Sequence, residues 1–453
     1  MYNIFTPDVL HQIKKGVWEH IVNWFKSLIH MQYSAQHNST AILAEFDAQF
    51  SLVPYFPRLR RFPNGITQLP QMTAREYSAT IKIFLGCSRE LFPPSMGILK
   101  GVRAFLVWYF HASLPVQTDA MLEELAKDLA AFNKAKNVFI EASPSKFQFP
   151  KIHSMQHCAD QIKKYGTLDN YDTEYGEHQH ITDAKVPYRR SNKRDAKAQM
   201  IKHIQRRTAL ETKLDYLVAQ KAVDQSQNAP RNKQQGMGSR VPGMLSIQDT
   251  GSAFNLRGNF ELATKKYFDL ERKLGASVPD ITCLEVSIYQ SYTVHCIDPY
   301  RENDHDTIKD IVRCNRRFYG RPRFDWVVVW NLDKLEKAHK NGVELYGMDQ
   351  YKIAQLQLLF VINQNEYKRH LAYVEWFDIG LPDTETQMPI VTRSGKFHVI
   401  DTNAIVRNIH LLPFFQNWNS ARTARETRKD VYSFKKYLVN PYSDMEAWEN
   451  FYL

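Results

Sequence analysis

Apolar side chains recur at helical spacing through residues 9–166, and this periodicity constrains the fold more than any other feature of the sequence. Thr6-Pro7-Asp8 is typical of a helix start, with Thr6 as the cap, Pro7 at the first helical position and Asp8 in the first turn. A long amphipathic helix is predicted after it. Its apolar face comprises Leu10, Ile13, Val17, Ile21, Trp24, Phe25 and Leu28.

Residues 73–166 contain further sequence signals that predict helices. Thr73 and Glu76 form a capping-box pattern that opens another helix, with its apolar positions on one face. Helical periods predict three more helices, at about residues 96–111, 119–140 and 150–166. Residues 1–166 are therefore predicted to form one mostly helical domain.

The composition of the sequence changes after residue 258, where segments rich in β-branched and aromatic residues follow in place of segments with helical periodicity. Segments separated by turn residues predict strands at 326–330, 353–362, 371–377 and 397–400. A small antiparallel sheet or barrel is therefore predicted within residues 259–416. Residues 224–258, rich in Gln, Asn, Gly and Ser, predict a flexible linker, and residues 417–453 predict a polar tail. The predicted fold class is α+β, mostly helical.

Positive charge is concentrated in one segment of the chain. The formal net charge of the 453 residues is +11, and residues 185–240 hold 14 Lys and Arg against 4 Asp and Glu, a local excess of +10. Such a stretch favours a polyanionic partner, in particular nucleic acid. Residues 189–194 also fit a nuclear-localisation element or a solvated helix face, but phosphate contact is preferred because the excess continues along the predicted helix. The predicted DNA contacts are Arg189, Arg190, Lys193, Arg194, Lys197, Lys202, Arg206 and Arg207.

Two glutamates stand at the head of the predicted helix that carries this charge, within residues 167–223. Asp172 or Thr173 can cap the helix, and Glu174 suits a first-turn acid at the positive end of the helix dipole. Glu177 is followed at once by two histidines and the cationic stretch. A carboxylate beside a basic groove suits metal-assisted chemistry on a phosphate backbone. The spacing alone does not choose between the two roles.

Two pairs of residues have spacings that metal sites also use. Asp8 and His11 lie one helical turn apart, which fits a braced metal ligand, although a first-turn acid beside a surface histidine is the favoured interpretation. His153 and His157 have the i, i+4 spacing of a metal clip. A metalloprotease motif would require glutamate where the chain has Ser154, so two histidines that flank a buried helix face are favoured instead.

Several protein classes are disfavoured by what the sequence lacks. No apolar run approaches the length of a membrane span, and the first residues show no secretion signal. The five cysteines are scattered and never spaced Cys-x-x-Cys, which indicates a reducing compartment and no zinc knuckle. No P-loop, dinucleotide-binding turn or nucleophile elbow is present in the sequence.

Blocks distributed over nearly the whole chain resemble a known family when their order and spacing are considered together. They are residues 6–16, with an Asp-x-x-His signature; 149–157 with 165–174; 177–185 with 188–193; and 371–377, 410–413 and 439–444. In this order they resemble the C-terminal part of the Plavaka-type DDE transposases of basidiomycete fungi, which are related to the CACTA (EnSpm) and Kyakuja-Dileera-Zisupton groups.

The resemblance implies an RNase H-like catalytic core that is interrupted by a helical insertion, residues 1–166. Three carboxylates of such a core hold two Mg²⁺ or Mn²⁺ ions for strand cleavage and transfer at transposon ends. By resemblance the third acid, and the metal ligand, is Glu177, with Glu174 and Asp8 in reserve. The motif-supporting residues are Asp8, His11, His153 and His157.

The same resemblance makes the chain look incomplete as a catalyst. In the family the other two aspartates lie upstream of the Asp-x-x-His signature, so the chain is expected to be the C-terminal part of a longer transposase and inactive alone. The expected protein is nuclear, binds DNA at transposon ends and is compatible with a homo-oligomer. The alternative is a domesticated, non-catalytic DNA- or chromatin-binding protein in which Glu177 is a first-turn acid.

Overall fold

Helices build the first half of the chain and antiparallel strands build most of the second. The structure is a computed structural model that describes residues 6, 8–34, 38–226, 236–280, 284–297, 307–364, 367–415 and 431–451. About 52% of it is helical and 23% is strand, so the predicted α+β class with mostly helical content is confirmed. No helix in these described ranges has the length and apolar character needed to cross a membrane.

The first helical unit starts with a π-helical segment, Val9–Trp18, that continues directly into the α-helix Glu19–Tyr33. The helices predicted near residues 96–111, 119–140 and 150–166 are confirmed, although the last is interrupted by a 3₁₀ turn, Met155–His157. The α-helices of this unit are α1 (Glu19–Tyr33), α2 (Ser39–Ser51), α3 (Ala74–Cys87), α4 (Ile98–Ala112), α5 (Asp119–Ala135), α6 (Pro150–Ser154) and α7 (Cys158–Tyr165).

The start of the π-helical segment differs from the prediction in one respect. Asp8, not Thr6, is the N-cap, because its carboxylate accepts hydrogen bonds from the amides of Leu10 and His11. The predicted capping box is confirmed: Thr73 and Glu76 each bond to the other's backbone amide at the start of α3.

An aromatic core holds the π-helical segment in place. The buried indole of Trp18 packs edge-on against Phe84 of α3, at 5.0 Å between ring centroids, and stacks on Phe105 of α4 at 5.6 Å. Its Nε1 donates to the hydroxyl of Thr80 at 3.0 Å. The residues that precede Trp18 on the same segment are therefore fixed relative to α3 and α4.

The cationic region forms several helices instead of the single long helix that was predicted. They are α8 (Thr173–His180), a π-helical segment (Ile181–Lys185), α9 (Val186–Arg190) and α10 (Ala196–Ser226). The helical conformation is interrupted between α9 and α10, where Lys193 and Asp195 have φ of 65° and 44°. Two left-handed residues so close together cannot belong to an α-helix.

The strands form a nine-stranded and a four-stranded sheet, and every described pairing is antiparallel. The strands are β1 (Gly236–Met237), β2 (Leu245–Ser246), β3 (Glu285–Tyr289), β4 (Ser291–Ile297), β5 (Thr307–Phe318), β6 (Arg321–Phe324), β7 (Trp326–Trp330), β8 (Tyr351–Gln364), β9 (Tyr367–Pro382), β10 (Pro389–Asp401), β11 (Ile405–Ile409), β12 (Leu411–Pro413) and β13 (Lys436–Val439). The larger sheet has the strand order β11-β7-β8-β9-β10-β13-β12, with β3 joining β8 and β2 joining β3, and the smaller has the order β1-β4-β5-β6.

The antiparallel prediction is confirmed, but the prediction of a small module is wrong. The four predicted strands correspond to β7, β8, β9 and β10. β4 and β5 were missed, because charged residues of β5 alternate with its buried Val312 and Cys314 and hide the apolar face. Three helices flank these strands: α11 (Ile247–Ala253), α12 (Phe260–Lys273) and α13 (Leu332–Lys340).

Parts of the predicted linker and of the predicted polar tail are ordered. Residues 227–235 lie outside the described residues, but 236–258 contain β1, β2 and α11, and Ile247 is buried. Residues 416–430, 452 and 453 also lie outside them. Residues 431–451 supply β13 and a last helix, Met445–Phe451. Both predictions relied on polar composition, whereas a few apolar side chains decide where these segments pack.

The helical unit and the sheets share one core. Leu412 and Trp448 belong to the same buried cluster as Trp18, and Trp448 stacks on Phe110 of α4 at 5.5 Å between ring centroids. The side-chain amide of Asn440 donates to the carbonyl of Lys82 in α3 at 3.0 Å. The two halves of the chain are therefore packed against each other and do not form separate lobes.

Candidate functional site

Asp8 joins the π-helical segment to the start of α8. Besides its own helix amides, its carboxylate accepts the amide of Thr173 at 3.0 Å on Oδ1 and the Thr173 hydroxyl at 2.8 Å on Oδ2. Partial burial acts to raise the pKa of Asp8, but the hydrogen bonds from Thr173 and His11 outweigh it and lower this pKa below its usual value. Asp8 is thus held as a carboxylate between two segments 165 residues apart.

His11 connects Asp8 to Glu177. Its Nδ1 lies 2.6 Å from Oδ2 of Asp8, and its Nε2 lies 2.9 Å from Oε1 of Glu177. Because both neighbours are acceptors, a doubly protonated ring can donate to each of them, whereas a neutral ring has only one N–H. The structure therefore brings together three of the predicted site residues in a carboxylate–imidazole–carboxylate row.

Glu174 has a different partner from Glu177. Lys14 Nζ lies 2.6 Å from Glu174 Oε2 and 3.6 Å from Asp172 Oδ2, and the lysine side chain is only 9% exposed. Burial acts to lower the pKa of Lys14, but attraction to Tyr109 and to these carboxylates outweighs it and raises the pKa above its usual value. Glu174 is a first-turn acid and Asp172 is the N-cap of α8, as predicted.

Glu177 also lines an open groove of about 1490 Å³ between the start of α3 and residues 169–185. Its side chain is 60% exposed. The groove carries charges of both signs. The charged and histidine side chains that line it are Lys15, Arg75, Asp169, Asp172, Glu174, Glu177, His178, His180 and Lys185.

The turn between α9 and α10 is shaped by two amide side chains. Asn192 Oδ1 accepts the amide of Arg194 at 2.9 Å and the side-chain NH₂ of Gln199 at 2.6 Å. Gln199 Oε1 in return accepts the amide of Asn192 at 3.1 Å. These bonds stabilise the left-handed residues of the turn and connect the end of α9 to the first turn of α10.

This turn creates a concave cationic surface, whose concavity has a volume of about 490 Å³. Of the predicted DNA contacts, Arg190, Lys202, Arg206 and Arg207 line it, together with His203. His203 Nε2 lies 3.0 Å from a guanidinium nitrogen of Arg190, which holds that guanidinium across the turn. The exposed cations on and beside this surface are Arg189, Arg190, Lys193, Arg194, Lys197, Lys202 and Arg206.

Arg207 differs from the other predicted contacts because it has acidic partners. It lies 2.5 Å from Asp183 and 3.5 Å from Glu211, and it also donates to the carbonyl of Thr182 at 3.0 Å. These bonds attach α10 to the π-helical segment Ile181–Lys185. Arg207 therefore positions α10, and the seven exposed cations are the better candidates for phosphate contact.

His153 and His157 lie apart from this network. Both side chains are exposed, with ring centroids 5.1 Å apart, while Ile152, Met155 and Cys158 between and beside them are buried. This is the flanking arrangement favoured from the sequence.

The metal pair that the resemblance implies can be compared with the donors present. Both oxygens of Asp8 and Oε1 of Glu177 already accept hydrogen bonds or ion pairs within the protein. In the described part of the chain no group of three or more His, Cys, Asp or Glu side chains is placed to hold a metal ion. These side chains as arranged do not fit a two-metal site.

Residues in both places were not predicted from the sequence: Lys14 and, as a hydroxyl partner of Asp8, Thr173 near the row, and Asn192, Gln199 and His203 at the turn between α9 and α10. Lys14 lies on the apolar face of its segment between Ile13 and Val17, and a buried lysine is a signal of a paired acid. Gln199 gave no such signal, because its role depends on a turn that was not predicted.

Searches of protein-family models, of curated proteins and of solved structures found no match to this chain.

Proposed function

We propose that this protein is a transposase-derived DNA-binding protein that contacts duplex DNA through the cationic surface of α9 and α10. The observation that carries the proposal is this concave surface, on which exposed Lys and Arg side chains converge around the turn at residues 191–195. A surface of this kind attracts phosphates irrespective of base sequence. The proposed binding is therefore strong at low salt and nearly independent of sequence.

The transposase origin is supported by where two of the resembling blocks meet. The block with Asp8 and His11 and the block with Glu177 are far apart in the chain, yet their side chains form one hydrogen-bonded row. Glu177 is accessible from the groove beside it, as a carboxylate that served an RNase H-like core would have to be. Transposon-end DNA is the proposed ligand and the nucleus the proposed location.

Catalysis by this chain alone is not part of the proposal. A two-metal site needs several carboxylates around the two ions, and here Glu177 is shared with His11. The same observation favours the second candidate function, a non-catalytic DNA- or chromatin-binding protein. The two candidates differ in one test, in which the chain is joined to a family segment that carries the two aspartates. Only the transposase-derived protein should then cleave or join transposon-end DNA with Mg²⁺ or Mn²⁺, and Glu177→Gln should abolish that activity while DNA binding is unchanged.

The DNA interface is tested by the salt dependence of duplex affinity. Arg189, Arg190, Lys193 and Arg194 are changed together to Gln, and affinity is measured by fluorescence anisotropy over a range of salt concentrations. Because each lost phosphate contact removes about 0.9 from the slope of log affinity against log salt, the slope should flatten by up to about 3.6.

A matched variant controls for the loss of charge. Four exposed cations elsewhere on the protein are Lys273 of α12 and Lys334, Lys337 and Lys340 of α13, and changing them to Gln should leave the slope nearly unchanged. Equal slopes for the α9–α10 variant and the unmodified protein would show that this surface does not touch phosphate.

A further inference from the structure

A second cationic surface includes the β5–β6 hairpin, whose turn carries an aromatic residue, Tyr319. This ring packs edge-on against its neighbour Phe318, at 4.6 Å between ring centroids, and is otherwise exposed. Phe318 pairs with Arg321 across a two-residue turn, Tyr319-Gly320. Both turn residues have positive φ, of 49° and 79°, as a type I′ turn requires. Such turns favour Asn-Gly or Asp-Gly, and a bulky residue with positive φ is uncommon. The ring of Tyr319 is nevertheless at the tip, and it is 91% exposed.

The hairpin is firmly held, so the exposed ring has a fixed position. Phe318 packs against Tyr55 at 5.4 Å between ring centroids. The buried guanidinium of Arg323 lies 3.9 Å from the Tyr55 ring centroid, and two of its nitrogens each lie 2.7 Å from an oxygen of Asp325. These contacts anchor the hairpin to the loop at residues 54–62.

Two exposed arginines of the hairpin, Arg317 and Arg321, lie two residues before and two residues after Tyr319. Burial and then the nearby charge of Arg321 lower the pKa of Arg61, which shows that cations of the two segments crowd together. In the described part of the chain the ion pairs here belong to Arg60, with Glu76 at 3.6 Å, and to Arg323. The hairpin surface consists of the nearby arginines outside those pairs and the exposed ring: Arg61, Arg317, Tyr319 and Arg321.

We propose that the hairpin surface binds single-stranded nucleic acid, with a base stacked on Tyr319 and neighbouring phosphates contacted by its arginines. Single strands offer unpaired bases with free faces, and a protruding aromatic ring among cations is how proteins bind them without reading sequence. A duplex keeps its bases stacked and offers no face to the ring. A membrane is disfavoured because, among residues 317–321, Tyr319 is the one exposed large apolar side chain, and a single ring is too little apolar surface to insert.

This inference uses none of the α9–α10 residues and does not depend on the proposed function. The test measures binding of the full chain to a fluorescent oligothymidylate and to a duplex of equal length. Tyr319→Asn gives the turn a residue that it prefers, so the fold should be retained or stabilised. Affinity for the single strand should nevertheless fall at least about fivefold, because base stacking is lost.

Several controls assign the effect to this site. Tyr319→Phe keeps the stacking surface and should bind like the unmodified protein. Tyr346→Asn removes a tyrosine of comparable exposure, 72%, from another surface and should leave binding unchanged. Changing Arg317 and Arg321 together to Gln should flatten the salt slope for the single strand by up to about 1.4.

The inference is overturned if Tyr319→Asn binds the oligothymidylate as tightly as the unmodified protein. It is also overturned if that variant loses duplex and single-strand affinity equally, or loses only affinity for phosphatidylserine vesicles. The variant in which Arg189, Arg190, Lys193 and Arg194 are changed to Gln distinguishes a failure of this inference from a failure of the proposed function. It should weaken duplex binding and leave the Tyr319-dependent part of single-strand binding in place.

Discussion

The buried carboxylate of Glu45 makes the stability of the helical unit depend on pH. Glu45 lies on α2 and is 4% exposed, and no Lys or Arg among the described residues forms an ion pair with it. Burial, and then the nearby charge of Glu90, raise its pKa from 4.5 to about 7. The folded protein therefore prefers Glu45 protonated at pH values at which the unfolded chain has it ionised.

The sign and size of the effect follow from this difference. Below pH 4.5 both states bind the proton, and Glu45 does not disfavour folding. Between pH 4.5 and about 7 only the folded state keeps it, so the free energy of unfolding falls by about 1.4 kcal/mol per pH unit. Above about pH 7 the loss levels off, at about 3 kcal/mol in total.

The substitution Glu45→Gln keeps the shape of the side chain and removes its titration. Urea unfolding is followed at pH 4.5, 6, 7 and 8.5 by the fluorescence of buried tryptophans, four of which share the core with α2: Trp18, Trp24, Trp108 and Trp448. The stability advantage of the variant should be near zero at the lowest pH and about 3 kcal/mol at the highest.

The matched control is Glu123→Gln, a change at an exposed glutamate of α5, for which the difference from the unmodified protein should stay small at every pH. An advantage of Glu45→Gln that does not change with pH would refute the reasoning. A loss of stability in this variant at pH 8.5 would do so as well, because the carboxylate would then have a stabilising partner.

Two further substitutions test other parts of the structure. Glu177→Gln weakens an exposed ion pair with His11, so the free energy of unfolding should change by less than about 1 kcal/mol. Duplex affinity measured by anisotropy should not fall, and a clear loss would make Glu177 part of the DNA interface. Trp448→Ala removes a buried indole that packs on Phe110 and Tyr442. The free energy of unfolding measured with urea should therefore fall by about 3–5 kcal/mol. A decrease below about 1 kcal/mol would contradict the packing of the helix Met445–Phe451 against α4.

How much of the fold the sequence predicts depends on how local the signal is. The capping box at Thr73 and the apolar period of α5 are decided by residues within a few turns, and both were predicted. Trp448 and Tyr442 are different, since they are isolated aromatics in a polar segment and become core residues only because α4 and β12 present a surface to them. No local pattern contains that information.

The candidate site follows the same rule. Asp8, His11, Glu174 and Glu177 were each selected as residues, because acids and histidines at helix starts are visible in a sequence. Their pairing was not predicted from the spacing, since the partner of His11 lies on a helix that begins at Thr173, far along the chain. The division of roles between Glu174, paired with a buried lysine, and the exposed Glu177 required the structure.

The position of α8 depends on polar contacts more than on packing. None of its eight residues is buried, so few apolar contacts fix it to the core. It is held mainly through Asp8, His11 and Lys14 on the π-helical segment, which Trp18 in turn fixes to α3 and α4. Because the pKa of Asp8 is lowered, its stabilising contribution is present above the unfolded value near 3.8 and is lost as pH falls through the folded value. Acid should therefore release α8, and with it the attachment of the cationic surface, while the aromatic core that holds Trp18 is still intact.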